Sequence, residues 1–444
     1  MPQHISSVRT HLLKCIRNIS ENVWLYSKAP GKDFTRNRKL SFETMIKTLL
    51  CIEGGSITNE LMKRFGCRAD TVSSSAFVQQ RNKILPEAFE TIFKMFAENT
   101  NTGPLYKGYR LFAVDGSDIQ IPTNPQDADS YYPGTNGQKA YNLMHLNAMY
   151  DLLQRTYVDV IVQKSRVCDE CRSLADMVDR SSIKQPVIII ADRGYESYNV
   201  LAHIQEKGWY FLIRVKDAGQ SGGFTFGLDL PTLDTFDFPL QLSLTRKQTK
   251  DTKLLCKQRN NYKFIPSNST FDYLPHKCRR HLPAVFYRLP FRVVRFPITE
   301  TTFETVVTNL PVELFNTSEL KKLYAMRWGI ETSFRELKYT VGLLNFHAKK
   351  TEHILQEIFA RLTMYNFSEL ITSHVVIQKH NRKHAFRANF SAAVHICRQF
   401  FLGNASPPDV EALIARNVSP IRPGRSRPRG LSAKTAVSFI YRVA

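Results

Sequence analysis

The sequence predicts an α/β protein whose mixed-sheet core is flanked by helical regions at its N- and C-terminal ends. Between about residues 111 and 216, short apolar runs typical of buried strands alternate with a helical pattern. Before and after that stretch, apolar residues recur at the three- and four-residue spacing of amphipathic helices. With 444 residues, the chain can bury a sizeable core, and we expect more than one domain.

Residues 1–104 are predicted to form a helical domain. Its core positions recur at helical spacing, namely Phe42, Met45, Ile46, Leu49 and Leu50, then Phe89, Ile92, Phe93 and Phe96. The same region carries many cations, including Arg36, Arg38, Lys39, Lys63, Arg64, Arg81 and Lys83. These cations could contact DNA, or the region could be a basic helical cap that only packs. We favour the DNA contact.

Residues 105–216 are predicted to form the first part of the core. The candidate strands are Leu111–Val114, Leu143–Tyr150, Tyr157–Gln163, Val187–Ala191 and Trp209–Val215, and Glu170–Arg180 is predicted to be a helix. Asp115 and Asp192 directly follow two of these strands. The carboxyl ends of strands hold ligands in open α/β sheets. An aspartate at such a place can also simply form a turn or cap a helix.

The rest of the chain divides into three regions. Residues 217–284 hold short apolar runs broken by turn residues and are predicted to be β-rich. Residues 285–375 contain the predicted strands Leu289–Phe296 and Phe303–Val307, followed by helices. Residues 376–444 are predicted to form a basic helical region with a flexible tail, Ser419–Gly430, that holds Arg422, Arg425, Arg427 and Arg429. The tail could follow a phosphate backbone or serve as a solubilising linker.

The segment Tyr324–Lys338 reads YAMRWGIETSFRELK and carries Tyr324, Arg327, Glu331 and Lys338 at offsets of 3, 4 and 7. On an α-helix these side chains lie within an arc of roughly 60°. A carboxylate beside three phosphate-binding groups then forms one stripe. The simpler interpretation is a solvated helix face with an Arg327–Glu331 pair. Trp328 could stack on a base, but a single helical Trp usually packs in the core, and we expect that here.

These motifs resemble the DDE transposase superfamily, in the branch of bacterial insertion-sequence transposases with the signature Y-x2-R-x3-E-x6-K. The signature matches without a gap at Tyr324, Arg327, Glu331 and Lys338. The blocks VDGSD and ADRGYES resemble the family's first and second aspartate motifs, and the resemblance runs from about residue 34 to 375. It implies an RNase H-like core interrupted by a β-rich insertion domain at 217–284. The order of the predicted strands agrees with such a core.

The resemblance implies that Asp115, Asp192 and Glu331 are catalytic and hold two Mg²⁺ ions, with Mn²⁺ able to substitute. Asp115 is then the bridging ligand. Asp118 is the rival for the first position, but we expect it beyond the strand end, in the turn. Tyr324, Arg327 and Lys338 are implied to bind the DNA backbone near the scissile phosphate.

The implied reaction is the excision of an insertion element and its transfer into target DNA. Water frees a 3′-hydroxyl, which attacks the opposite strand to give a hairpin, and the reopened end joins the target. The implied partners are double-stranded terminal inverted repeats, target DNA and a second copy of the chain in the DNA complex. The alternatives are an RNase H-like nuclease without strand transfer and a non-catalytic, transposase-derived DNA-binding protein.

Composition agrees with a polyanionic partner, since 61 Lys and Arg residues face 39 Asp and Glu, a formal charge of +22. No apolar run reaches a membrane span and the N-terminus lacks a signal-peptide core, so we expect a soluble intracellular protein. The resemblance implies the bacterial cytoplasm, with association to the nucleoid when the chain is bound to DNA. Cys168 and Cys171 are expected to be ordinary reduced thiols, and Cys256 with His276, Cys278 and His281 fits no zinc motif. No phosphate-binding G-x-x-x-x-G-K occurs, which disfavours ATP-driven chemistry.

Overall fold

The computed structural model describes residues 2–100, 102–134, 139–217, 220–276, 282–377 and 385–421. Within these residues, ten strands form one mixed sheet, and helices lie at both ends of the chain. The predicted α/β class with flanking helical regions is therefore confirmed.

The helices before the sheet form the N-terminal region. They are α1 Pro2–Glu21, α2 Val23–Tyr26, α3 Phe42–Cys51, α4 Ile57–Phe65, α5 Ser74–Arg81 and α6 Glu87–Asn99. The side chains of Ser41, Ser56 and Ser73 accept hydrogen bonds from the first turns of α3, α4 and α5, which fixes where these helices begin. The apolar residues predicted for the core of α3 and α6 are buried.

The first part of the core has the RNase H-like strand order. Its elements are β1 Arg110–Ile121, β2 Tyr131–Tyr132, β3 Tyr141–Asp151, β4 Thr156–Lys164, α7 Glu170–Arg180, β5 Val187–Ala191, α8 Tyr198–Glu206 and β6 Tyr210–Val215. Their order across the sheet is β4-β3-β1-β5-β6. The strands β1, β3 and β4 pair antiparallel, and β5 and β6 run parallel to β1. The helices α7 and α8 make the two crossovers that parallel pairing requires.

The region predicted as an insertion continues this same sheet. The next elements are β7 Phe236–Thr245, α9 Lys250–Leu255, β8 Tyr262–Phe264, β9 Tyr287–Pro297 and β10 Phe303–Thr308. The strand β10 joins β6, and β9, β7 and β8 follow in that order. The segment 217–284 thus contributes β7 and β8 to the edge of the main sheet.

The C-terminal part is mostly helical. It comprises α10 Thr317–Met326, α11 Trp328–Arg335, a π-helix Glu336–Val341, α12 Thr351–Thr372, β11 Phe386–Ala388, α13 Phe390–Leu402, α14 Pro407–Arg416 and β12 Val418–Pro420. The helix α12 is buried along nearly its whole length and packs against α3, α6 and α13. It therefore joins the two helical ends of the chain into one core. The tail arginines at 422, 425, 427 and 429 lie outside the described residues.

Candidate active site

Asp115 and Asp192 follow paired residues of two neighbouring parallel strands. The register of β1 and β5 pairs Val114 with Ala191. Asp115 is the next residue of β1, and Asp192 is the first residue after β5. Adjacent strands are about 4.8 Å apart, so the two carboxylates leave the sheet at the same place. Asp115 accepts a hydrogen bond from the Gly116 amide at 2.9 Å, and Asp192 accepts one from the Gly194 amide at 2.8 Å.

The strand β1 does not end at Asp115, in contrast to the prediction. It continues to Ile121 because β3 keeps pairing with it, and Asp118 faces His145 in that register. Asp115 therefore sits where β5 leaves β1 rather than at a strand end. The prediction that Asp118 lies in a turn is wrong for the same reason.

Glu331 lies on α11, and the guanidinium of Arg327 bridges it to Asp115. The Nη2 atom of Arg327 donates to Glu331 Oε1 at 2.8 Å, and Nη1 donates to Asp115 Oδ2 at 3.4 Å. Arg327 is only 4% exposed. The i,i+4 pair of the simpler interpretation is present, but it is buried and includes a third partner. It is not a solvated helix face.

The carboxylates of this site influence one another electrostatically. The pKa of Asp115 is raised to about 6, mainly by burial. The charges of Asp192 and Glu331 contribute to this rise, whereas Arg327 and the Gly116 amide oppose it. Like charges placed together in a partly buried site are costly unless a cation joins them. The arrangement therefore favours the binding of positive charge.

The donor set suits a hard divalent cation, because it consists of carboxylate oxygens. Among the described residues, however, no three His, Cys, Asp or Glu side chains are grouped as a metal site. Asp115 and Glu331 instead share the guanidinium of Arg327. The carboxylates of Asp115, Asp192 and Glu331 are chemically suited to a divalent cation. In this structure the guanidinium of Arg327 supplies the positive charge between Asp115 and Glu331.

The other signature residues do not share one stripe. Tyr324 lies on α10 and is buried in the core. Burial raises its pKa to about 12, and its hydroxyl has no hydrogen-bond partner among the described residues. Lys338 lies on the π-helix and donates to the backbone oxygen of Asp118 at 2.7 Å. The helical path is interrupted at Arg327 and widened after Arg335, so the α-helical spacing does not hold across the segment.

Trp328 is 54% exposed, so the prediction that it packs in the core is wrong. Its indole lies beside the guanidinium of Arg327, whose central carbon is 5.2 Å from the ring centroid. An aromatic face is thus exposed beside the site formed by Asp115, Asp192 and Glu331, called here the acidic cluster.

His145 and Glu170 also line this site, and the sequence did not predict them. His145 lies between Asp118 and Glu170, at 2.8 and 3.0 Å from their carboxylate oxygens. The register that joins Asp118 to His145 depends on how far β1 and β3 pair. Because a lone histidine in an apolar strand gives no such signal, only the folded chain reveals the contact.

The remaining predicted sites differ from one another. A cavity of about 420 Å³ in the N-terminal region is lined by three of the predicted cations, Arg36, Arg38 and Lys83, together with Lys32. Arg81, in contrast, is buried against Glu357 and is not exposed to DNA. Cys168 and Cys171 are free cysteines, and burial raises the pKa of the Cys171 thiol to about 11. Two predicted zinc candidates, at 278 and 281, lie outside the described residues.

In the described part of the chain, no helix combines the length and apolarity needed to cross a bilayer.

Comparison with known proteins places the chain in a family. The chain resembles a solved structure, "Cryo-EM structure of piggyBac transposase synaptic complex with hairpin DNA", with a TM-score of 0.46 and 11% identity, over 94% of this chain and 87% of that one. No curated protein matches the chain. A family model described as the transposase DDE domain matches residues 106–367, more than half of the chain, and this range includes Asp115, Asp192 and Glu331. The chain therefore belongs to the transposase DDE domain family.

Proposed function

We propose that this chain cuts DNA at the ends of a mobile element and joins those ends to target DNA. The observation that carries the proposal is the convergence of Asp115 and Glu331 on Arg327, with Asp192 on the adjacent strand. The cluster lies within the matched transposase domain. A site that collects like charges is expected to have a ligand that compensates for them.

Asp115, Asp192 and Glu331 would hold two Mg²⁺ ions, with Mn²⁺ as a substitute. When bound, such ions activate the attacking oxygen and neutralise the leaving one. Asp192 and Glu331 both act electrostatically on Asp115, so Asp115 is our candidate for the ligand that both ions would share. Asp118 is less suited to that role, because its carboxylate is already paired with His145.

Arg327 has a second role in this proposal. In the structure its guanidinium neutralises Asp115 and Glu331, while its Nε has no hydrogen-bond partner among the described residues. Once other cations neutralise those carboxylates, the guanidinium can turn to a DNA phosphate, for which its planar fork is well matched. The buried hydroxyl of Tyr324 and the ammonium of Lys338 would support the same backbone. The exposed indole of Trp328 would stack on a base.

The proposed reaction is cut-and-paste transposition. Water frees a 3′-hydroxyl, this hydroxyl attacks the opposite strand to form a hairpin, and the reopened end joins target DNA. Each step is an in-line displacement at phosphorus, so one site can serve them all. The gapless match of Tyr324, Arg327, Glu331 and Lys338 favours the bacterial insertion-sequence branch, and with it a dimer that acts on paired ends.

The test is cleavage of labelled DNA taken from the flanks of the coding region, with its inverted repeats, in the presence of Mg²⁺. We expect hairpins and strand-transfer products from the wild type and neither from Glu331→Gln. Asp237→Asn is the matched control, since Asp237 is a partly buried carboxylate paired with Arg292 on β7 and β9, and it should retain activity. Nicks without joining would favour the nuclease, and binding without cleavage would favour the non-catalytic alternative.

A further inference from the structure

A second charged cluster borders the proposed active site. The imidazole of His145, on β3, is 8% exposed and bridges two carboxylates. Its Nδ1 lies 2.8 Å from Asp118 Oδ1 on β1, and its Nε2 lies 3.0 Å from Glu170 Oε1 in the first turn of α7. The cluster Asp118–His145–Glu170, called here the histidine bridge, thus joins three elements of the core.

The histidine bridge carries a protonated imidazole at neutral pH. Burial would lower the pKa of His145, but Asp118 and Glu170 raise it to about 9. The Nδ1 atom of His145 hydrogen-bonds to Asp118, whereas its Nε2 meets Glu170 Oε1 at ion-pair distance without hydrogen-bond geometry. The imidazole thus contacts both acidic partners rather than standing alone as a free base.

The carboxylate of Glu170 lies against the backbone of both aspartate motifs. A Cβ atom on Gly116 would stand 2.4 Å from Glu170 Oε1 and 2.4 Å from His145 Nε2. A Cβ on Gly194 would stand 3.1 Å from Glu170 Oε2 and 3.2 Å from Asp192 Oδ1. Glycine at these two positions therefore allows Glu170 to approach the chain directly after Asp115 and just beyond Asp192.

We infer that His145 and Glu170 are positioning residues that fix the spacing between the segments carrying Asp115 and Asp192, and so set the affinity of the acidic cluster for divalent cations. This inference rests on the proposed function. Groups that orient metal ligands from behind commonly change metal affinity about 10- to 100-fold when they are removed. Within the histidine bridge, Glu170 lies against Gly116 and Gly194, which are close in sequence to Asp115 and Asp192. A group that orients metal ligands from behind needs such a position.

The chain contains a matched control for this inference. His203 on α8 is 5% exposed and likewise bridges two carboxylates, Asp179 and Asp272, at 2.9 Å each. Its partners belong to α7 and to the segment after β8, not to the strands that carry Asp115 and Asp192. Loss of either histidine removes a similar buried contact, but only His145 borders the acidic cluster.

The experiment compares His145→Gln, Glu170→Gln, His203→Gln and Glu331→Gln with the wild-type chain. Mn²⁺ binding to the DNA-free protein is measured by calorimetry, and unfolding temperature is measured without metal. The Mg²⁺ concentration that gives half-maximal cleavage is also measured. We expect His145→Gln and Glu170→Gln to weaken Mn²⁺ binding about tenfold and to raise the Mg²⁺ requirement equally. Excess Mg²⁺ should restore most of their cleavage, and His203→Gln should alter only the unfolding temperature.

Asp118→Asn keeps the inference testable if the buried variants fail to fold, because the Asp118 side chain is about half exposed. It should weaken Mn²⁺ binding several-fold. Wild-type Mn²⁺ affinity in all the bridge variants would overturn the inference. Loss of cleavage in Glu170→Gln that excess Mg²⁺ does not restore would make Glu170 a direct participant, which also overturns it. Unchanged Mn²⁺ binding in Glu331→Gln would instead show that the proposed metal site itself is wrong, and the inference would fall with it.

Discussion

Two buried arginines of this chain, Arg81 and Arg327, have very different surroundings. Arg81 at the end of α5 is 1% exposed, and each of its guanidinium nitrogens donates a hydrogen bond. Its acceptors on α12 are Gln356 at 2.9 Å, Glu357 at 2.8 Å and the His353 backbone oxygen at 2.5 Å. Arg327 is 4% exposed, has one long contact of 3.4 Å, and leaves its Nε without a partner among the described residues.

The difference separates a structural cation from a functional one. Each guanidinium nitrogen of Arg81 has an acceptor on α12, so Arg81 connects the N-terminal helices to α12 and serves the fold rather than a ligand. Arg327 faces more acid than it can neutralise and keeps an unused donor. A buried polar group left unsatisfied is costly, and such groups are expected where a ligand completes the site.

The largest expected effect comes from removing the acidic partner of each arginine. Glu331→Gln should lower cleavage of terminal DNA by several orders of magnitude, because a metal ligand is lost. Its free energy of unfolding should stay close to that of the wild type. Glu357→Gln should do the opposite, with a large loss of stability and normal cleavage at temperatures where it remains folded. Cleavage assays and urea titrations of both variants check this, and equal cleavage by Glu331→Gln and the wild type would end the distinction.

The next effect concerns stability alone. Arg81→Ala leaves the Glu357 carboxylate buried without its cation and should cost about 3–5 kcal/mol of unfolding free energy. Arg327→Ala should cost less than Arg81→Ala, because Asp115 and Glu331 keep 21% and 29% of their side chains exposed and water can reach them once the arginine is removed. Urea denaturation of the metal-free variants measures both. A loss in Arg327→Ala as large as that in Arg81→Ala would make Arg327 structural.

The acidic partners of the two arginines should also titrate in opposite directions. The pKa of Asp115 in the folded, metal-free chain is about 6, above its usual value of 3.8, so its stabilising contribution is full below 3.8 and disappears as the pH rises through 6. The stability of the wild type relative to Asp115→Asn should therefore rise by about 1–3 kcal/mol as the pH falls from 7 to 4.

For Glu357 the sign is reversed. Burial raises the pKa of this carboxyl, but Arg81 and His347 lower it to about 2, below the usual 4.5. The stability that it contributes is present above pH 4.5 and is lost as the pH falls through 2. Stability measured from pH 7 to 3 for wild type, Asp115→Asn and Glu357→Gln resolves the two groups. A parallel trend for both variants would contradict the comparison.

The smallest effect is on the salt dependence of DNA binding. Arg327→Ala removes one cation that we place against a phosphate, so the slope of binding affinity against salt should fall by about one unit. Lys338→Ala should act alike, and Arg81→Ala should leave the slope unchanged because its cation does not reach DNA. Salt titrations with terminal DNA decide this. An unaltered slope in Arg327→Ala would show that Arg327 pairs only with its acidic partners and does not contact a DNA phosphate.

What the sequence predicted well was local. The bounds of β5 and α7 are as predicted, because a continuous apolar run and a capped amphipathic helix are specified by adjacent residues. The chain also carried enough signal to name Asp115, Asp192 and Glu331 as candidates, and the structure places them within electrostatic reach of one another. Their catalytic roles remain predictions.

What the sequence did not predict depends on contacts between distant segments. The exposure of Trp328 depends on which face of α11 packs against the rest of the chain, and neighbouring residues do not specify that. The extent of β1 beyond Asp115 follows from pairing with β3, and the same pairing creates the contact between Asp118 and His145. Likewise, the β structure at 217–284 was predicted, but its addition to the main sheet depends on β9, which comes later in the chain.

That addition has a consequence for solubility. The strand β9 is long and rich in buried apolar residues, and β7 hydrogen-bonds along it from Phe236 to Leu244. Without β7, the open edge of β9 would offer a flat template on which other chains could pair and aggregate. Instead, this side of the described sheet ends in β8, a strand of only three residues. The segment 217–284 therefore covers the edge of β9 along most of its length, which lowers the tendency of that strand to pair with other chains.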